Sequence, residues 1–397
     1  MRVLWSFTAQ QGCWYPAVGP VLALRARGHE VVALSRAPVR PAMAALGIPL
    51  LTDELRPWPD ELGLLTGPPT SLDQALRRRA HVAGCHRDHV ARLLARERFD
   101  VVLTDGFRLG AGFAADGAGV PWASYVHHQF DDRTSSEGIV QLWRDRFAPE
   151  RPLRDVFVEW WPALRAALGV GPEPRPRADA TWWNQSPHAT FVLGLPELLG
   201  HRQRAPAAVH HVGPSLWDGL PAAPPAWLAE LGAGPPAVLV ALSAGTLEDT
   251  ATLVAAARAA RARGLDVAAT LSIERAVPAL PDGTRVAVAL AHGALLPRVR
   301  AAVATGGLGM VTRLACAGVP AVLAPRVNDQ FLVAEAAVAA GMAVRLLPAE
   351  VDEARTGAAL DRVLTDGRLA AAAARLRDAS ARYDAPAAIA GVLEALA

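Results

Sequence analysis

Lysine is absent from the chain: all 40 basic residues are arginine, set against 38 acidic ones. The formal charge is only +2 and the two signs are interspersed, which argues against nucleic acid or an anionic membrane surface as a partner. Three cysteines, Cys13, Cys85 and Cys316, are too few and too scattered for a disulfide framework or a zinc site. No apolar run approaches the ~20 residues that span a bilayer, and the opening residues 1–14 hold too short a run for a secretory leader. A soluble, cytoplasmic protein is expected. No G-x-G-x-x-G, no G-x-x-x-x-G-K-[ST] and no D-x-D occurs, so the common dinucleotide and phosphate loops and a cation-holding carboxylate pair are all missing. What is plentiful is apolar material. At 397 residues and 52% hydrophobic, the chain can fill two buried cores and is not disordered.

Periodicity gives an alternation of strands and helices. Residues 3–7 read as a strand, 10–12 as a turn, 16–27 as a helix stopped by Gly28, and 30–34 as the next strand. The unit repeats with a strand at 100–104, a helix at 110–118 and a strand at 122–126. Residues 139–183 are helical and rich in tryptophan, and 190–193 and 209–212 read as late strands. Six prolines between 213 and 236 mark a linker. Beyond it the alternation restarts, with strands at 237–242, 267–271, 286–290, 301–304 and 321–324 and helices at 247–263, 308–317 and 330–340. A helical tail follows from 361, broken near 384–386. This is an α/β chain of two doubly wound domains facing a cleft: 1–213, a linker 214–236, 237–380, and a last helix within 381–397. Ligands of such sheets sit beyond the carboxyl ends of the strands.

The run Thr305-Gly306-Gly307-Leu308-Gly309 falls at one such end, between a strand and a helix. Glycines there let a ligand approach the backbone, and the helix start offers unpaired N–H groups to a diphosphate. A tight turn needing glycine is the plainer reading of the same residues. Asp329-Gln330 follows the next strand and supplies acceptors for sugar hydroxyls beside that seat, although Asp329 also suits a helix N-cap.

Together with these runs, Gln11-Gly12-Cys13-Trp14-Tyr15-Pro16, Arg25 to Val31, Val101 to Asp105, Val212-Gly213-Pro214, Ala294 to Pro297 and Gly318-Val319-Pro320 occur in an order that resembles the family 1 glycosyltransferases of the GT-B fold. Within that family the chain is most similar to bacterial antibiotic and macrolide enzymes that use TDP-deoxysugars. The resemblance implies Rossmann-like domains for acceptor and donor, a last helix returning to the first domain, and metal-independent, inverting transfer. No cofactor or metal is then required, since the helix start near Gly309 stabilises the leaving diphosphate.

Departures from the family pattern raise the sharper questions. Cys13 stands where the family has its histidine base, while Asp105 matches the carboxylate that orients that base. Cys13 is a small apolar filler, a thiolate base, or part of a pocket in which another group takes the proton. The alternative bases are Asp105 itself and His127, His128, Asp131 and Asp132, although Asp105 also suits a cap on the helix beginning near Arg108. On the donor side Thr305 replaces a phosphate-binding histidine and Met310 a phosphate-binding hydroxyl. Ser243, Thr246, Thr305 and Thr312 are the substitutes, with backbone contacts from Gly307, Leu308 and Gly309. Arg313 stands at the ribose-binding glutamate, which favours TDP over UDP, and His292 is the candidate to pack on thymine.

Nine of the 11 tryptophans precede the linker. Trp14, Trp143 and Trp160, with Trp161, Trp182 and Trp183, would line or flank an acceptor pocket for a hydrophobic polyketide or aromatic aglycone, although core packing explains any one of them. O- and C-glycosylation both remain open. The rival reading is a catalytically degenerate relative serving as auxiliary partner to another enzyme, and a homodimer is compatible with either.

Overall fold

A computed structural model describes residues 1–52, 70–126, 146–199, 206–220, 223–242, 250–271, 279–288, 290–326 and 329–397. Two all-parallel sheets carry the chain. The first contains β1 (Arg2–Ser6), β2 (Glu30–Ser35), β3 (Leu50–Thr52), β4 (Val101–Asp105), β5 (Trp122–Val126), β6 (Ala189–Val192) and β7 (Val209–His211). Their order is β3-β2-β1-β4-β5-β6-β7. The second contains β8 (Ala237–Ala241), β9 (Asp266–Leu271), β10 (Thr284–Val288), β11 (Val299–Ala304), β12 (Ala321–Leu323) and β13 (Ala343–Arg345), in the order β10-β9-β8-β11-β12-β13. In each sheet the strand order reverses around the first strand, between β1 and β4 and between β8 and β11. Such switch points leave a crevice at the carboxyl ends.

The central strands are mostly apolar because both of their faces are covered. Along β8, Val238 and Val240 join one buried cluster while Ala237, Leu239 and Ala241 join another, the period of two expected of a strand. Register keeps the sheets in step, with Val3 opposite Val101 and Val303 opposite Val240.

The residues fall into two compact units. One comprises Met1–Leu193, Arg202–Ser215 and Ala385–Ala397, and the other comprises Gly194–His201 and Leu216–Asp384. Leu228 and Leu231, within the proline-rich stretch 214–236, are buried in the core of the second unit. In the first unit the terminal helix Ala385–Leu396 lies against the helix Gln11–Ala26, with Glu394 paired to Arg27 at 2.9 Å and to His29 at 2.7 Å.

The first helix begins at Gln11, inside the segment expected to be a turn, and contains Pro16 and Pro20. Proline at 20 removes the N–H that would bond the carbonyl of Pro16. The buried Ser215 hydroxyl donates to that carbonyl at 2.5 Å, so a residue far along the chain repairs the helix.

Candidate active site

At the end of β11 the chain turns through Thr305, which is buried, and Gly306, whose φ is +85°. A Cβ at Gly306 would lie 3.1 Å from the carbonyl oxygen of Gln330, so a side chain is opposed there by both conformation and space. Gly307 is the N-cap of the helix Leu308–Ala317 and offers no side-chain cap. The amides of Met310 and Val311 both donate to the Gly307 carbonyl, at 3.1 and 3.0 Å. Leu308 and Gly309 have no backbone acceptor among the described residues, and a Cβ at Gly307 or Gly309 would meet nothing within 4 Å. The result is a bare helix start with two outward N–H groups, a seat for an anion. Leu308 itself is buried, Met310 packs partly against the same core, and Thr312 is buried with its hydroxyl unpaired among the described residues.

Gln330 is buried, and its carboxamide oxygen accepts from the amide of Arg326 at 2.9 Å. That bond ties the first residue of the helix Gln330–Ala339 to Arg326. Asp329 is half-buried at the N-cap position of the helix Gln330–Ala339, but its side chain makes no capping hydrogen bond. Thus the cap that its residue type suggested is not formed.

His292 opens the short helix His292–Leu295 after β10, and its Nε2 lies 3.2 Å from the Thr270 hydroxyl near the carboxyl end of β9. Burial first, and then the Arg313 cation, lower the imidazole pKa from its ordinary 6.5 to about 4, against the opposing effect of Asp218. The ring is therefore neutral at physiological pH. Asp218 accepts from the amide of Gly293 at 3.1 Å and pairs with Arg313, while Arg313 also donates to the carbonyl of Trp217. Sequence reasoning missed Asp218 because it lies in the stretch taken for a linker.

In the first unit, Asp105 ends β4 and is buried. Its two oxygens accept from the amides of Thr8 at 2.5 Å and Phe107 at 2.8 Å, tying the segment after β1 to the turn after β4. Arg108, not Asp105, occupies the N-cap position of the helix Leu109–Ala118. Tyr125 lies close by and accepts from Trp5 Nε1 at 3.4 Å. Burial, and then the Asp105 carboxylate, push its phenol well above its ordinary pKa. Cys13 is buried in the first turn of its helix, with Sγ 3.9 Å from Gln10 Oε1.

Trp14 is buried between Phe7 and Tyr15, and Trp160 is buried against Phe157 and Trp161. A cavity of about 280 Å³ is lined by Phe113, Trp122, Trp161 and Trp183 but by neither Trp14 nor Trp160. Trp122 starts β5 and His188, also on its wall, precedes β6. These residues mark the amino ends of the strands, opposite to Asp105. His127, Asp131, Trp143, Ser243 and Thr246 lie outside the described residues, as do His128 and Asp132. Among the described residues no group of three His, Cys, Asp or Glu is arranged to hold a metal ion, and no helix is long and apolar enough to cross a membrane.

Residues 266–396 match the family described as "Erythromycin biosynthesis protein CIII-like, C-terminal domain". The 4'-demethylrebeccamycin synthase of Lentzea aerocolonigenes is 30% identical over 302 residues, covering 72% of this chain and 71% of that protein. The L-demethylnoviosyl transferase of Streptomyces niveus is 29% identical, across 100% of this chain and 98% of the relative. Among solved structures, the spinosyn rhamnosyltransferase SpnG superposes with a TM-score of 0.74 at 21% identity, covering 99% of this chain and 100% of that one. Both sheets and a relative at this level of identity lead to one assignment: the chain belongs to the nucleotide-sugar-dependent glycosyltransferases of antibiotic biosynthesis, of the GT-B type.

Proposed function

We propose that this enzyme moves a deoxysugar from a TDP-sugar to a hydrophobic aglycone, with inversion at the anomeric carbon and without a metal. The observation that carries the reading is the bare helix start at Leu308–Ala317, which presents N–H groups and open space where a diphosphate would sit. Support comes also from relatives. The spinosyn rhamnosyltransferase has been solved with thymidine diphosphate and with spinosyn aglycone, and the Streptomyces niveus relative is a demethylnoviosyl transferase.

In this reading the second unit holds the donor and the first the aglycone. The amides of Leu308 and Gly309 receive the diphosphate beside Gly307, Thr305 and Met310. Ser243 and Thr246 add hydroxyl donors, Asp329 and Gln330 face the sugar, and neutral His292 packs on the base. The acceptor atom attacks C1 from the face opposite the leaving group. The C1–O bond breaks, its electron pair leaves on the β-phosphate, and the helix start stabilises the charge gained there.

Asp105 ties the segment leading to Cys13 through the amide of Thr8; in this reading Cys13 shapes the pocket wall, and His127 or Asp131 is assigned to proton removal. An acidic phenol or enol acceptor, or an activated aromatic carbon, lessens the demand on that base. Trp14 and Trp143 contribute aromatic surface to the acceptor side, whereas Trp160 packs against Phe157 and Trp161 in the core of the first unit.

The test is transfer in the presence of EDTA from an α-configured TDP-deoxysugar to an aromatic aglycone, with the product's anomeric configuration read by NMR. A β-glycoside formed at an undiminished rate is expected. An α-glycoside contradicts inversion, and restoration of the rate only by a divalent cation contradicts metal independence.

A further inference from the structure

The segment around Asp218 is not held down by apolar burial. Leu216 and Leu220 on either side of it are exposed, at 41% and 37%. It is held by polar contacts to two elements of the donor unit. Arg313, with only 14% of its side chain exposed, pairs with the Asp218 carboxylate and donates to the Trp217 carbonyl. The second carboxylate oxygen accepts from the amide of Gly293 at 3.1 Å. A Cβ at residue 293 would collide with that oxygen, so glycine there is what admits the carboxylate.

The two elements joined in this way have different duties under the donor reading. Gly293 follows His292, the residue placed on the nucleobase. Arg313 lies one helical turn beyond Gly309, in the helix whose start faces the diphosphate. We infer that Asp218 is a positioning residue for the donor nucleoside: its carboxylate fixes the start of the helix His292–Leu295 against the helix Leu308–Ala317, and so sets the span between base site and diphosphate site. The inference rests on the donor reading above. It also gives a purpose to Arg313, which stands where the family has a ribose-binding glutamate, since its guanidinium pairs with Asp218 and donates to Trp217. Two of the four lone-pair positions of the Asp218 carboxylate are used by these partners, and its side chain is 39% exposed, leaving acceptor capacity for a deoxyribose hydroxyl.

Titration calorimetry of wild-type, Asp218→Ala and Asp218→Asn proteins with TDP and with inorganic pyrophosphate tests this, with thermal unfolding followed alongside. A preorganised span lost from the nucleoside end predicts that Asp218→Ala binds TDP ~10-fold more weakly while its pyrophosphate affinity is unchanged. Asp218→Asn, which keeps an acceptor for Gly293 but loses the charge, falls between, and it carries the same comparison if Asp218→Ala does not fold. In turnover, KM for the donor rises and kcat holds. Equal TDP affinity in wild type and variants overturns the inference alone, as does parallel weakening of TDP and pyrophosphate or tighter pyrophosphate binding by a released Arg313. A wild-type protein that binds no TDP overturns the donor reading and this inference with it.

Discussion

Replacing Gly309 by leucine separates folding from binding. Gly309 is exposed in the first turn of its helix, and a Cβ there meets nothing within 4 Å. Leucine is a better helix former than glycine by up to ~1 kcal/mol, a margin worth about 2–4 °C of melting temperature in a domain of roughly 150–250 residues. The variant is therefore expected to melt at the same temperature as wild type or slightly above it. Binding moves the other way. Side chains on a helix lean towards its N-terminus, so leucine at 309 projects over the space into which the amides of Leu308 and Gly309 point. Losing one charge-assisted hydrogen bond costs about 1.5–3 kcal/mol, which weakens TDP by roughly 10–100-fold. Differential scanning fluorimetry and calorimetry on the same preparation read both quantities. A Gly309→Leu protein that binds TDP as wild type does refutes the placement of the diphosphate at this helix.

Three further outcomes are expected. Asp105→Ala leaves the amides of Thr8 and Phe107 without their acceptor and should lower stability by ~2 kcal/mol in urea unfolding; a change near zero would mean those bonds contribute nothing. Glu173 is 5% exposed between Arg165 and Arg175 and accepts from Trp161 Nε1 at 2.8 Å. Burial pushes its carboxyl up, but Arg175 and Trp161 more than offset that and hold it below its ordinary value. Glu173→Ala removes the only carboxylate paired with these two half-buried arginines among the described residues, leaving them carbonyl acceptors alone, and should cost about 3–5 kcal/mol, with an unchanged unfolding midpoint as the contrary result. His292 titrates near 4 when folded and near 6.5 when unfolded, so between those values the unfolded chain takes up a proton that the folded one refuses. Its contribution to stability is complete above 6.5 and falls as the pH drops towards 4. On going from about pH 7.5 to about pH 5, wild type should lose more stability than His292→Gln; equal slopes would show that the ring is not held neutral.

Much of the architecture is legible in the sequence because its determinants are local. The helix Leu308–Ala317 and the strand Trp122–Val126 occur with the bounds their periodicity predicts, since apolar spacing and flanking glycines act within a few residues. The start at Gln11 is not legible. Proline at 16 reads locally as a helix start, and the partner for the carbonyl that Pro20 leaves unpaired is Ser215, nearly 200 positions away. The three-residue strands β3 and β13 are too short to show a period.

The site divides in the same way. The glycine-rich turn after β11 is readable because a strand, a turn and a helix follow one another without interruption. The Asp218–Arg313 pair joins residues 95 positions apart within a stretch whose prolines signal a linker, and no spacing rule connects them. Asp105 falls at the end of its strand, where the apolar run before it puts it, yet its commitment to two backbone amides depends on the adjacency of β1 and β4.

Calorimetric titration of the wild-type protein with TDP, UDP and GDP under identical conditions tests the donor site in the second unit. TDP is expected to bind, UDP to bind more weakly and GDP to bind least. Absence of binding by all three nucleotides, or a clear preference for GDP, would contradict the assignment of the second unit as a thymidine-diphosphate-sugar site.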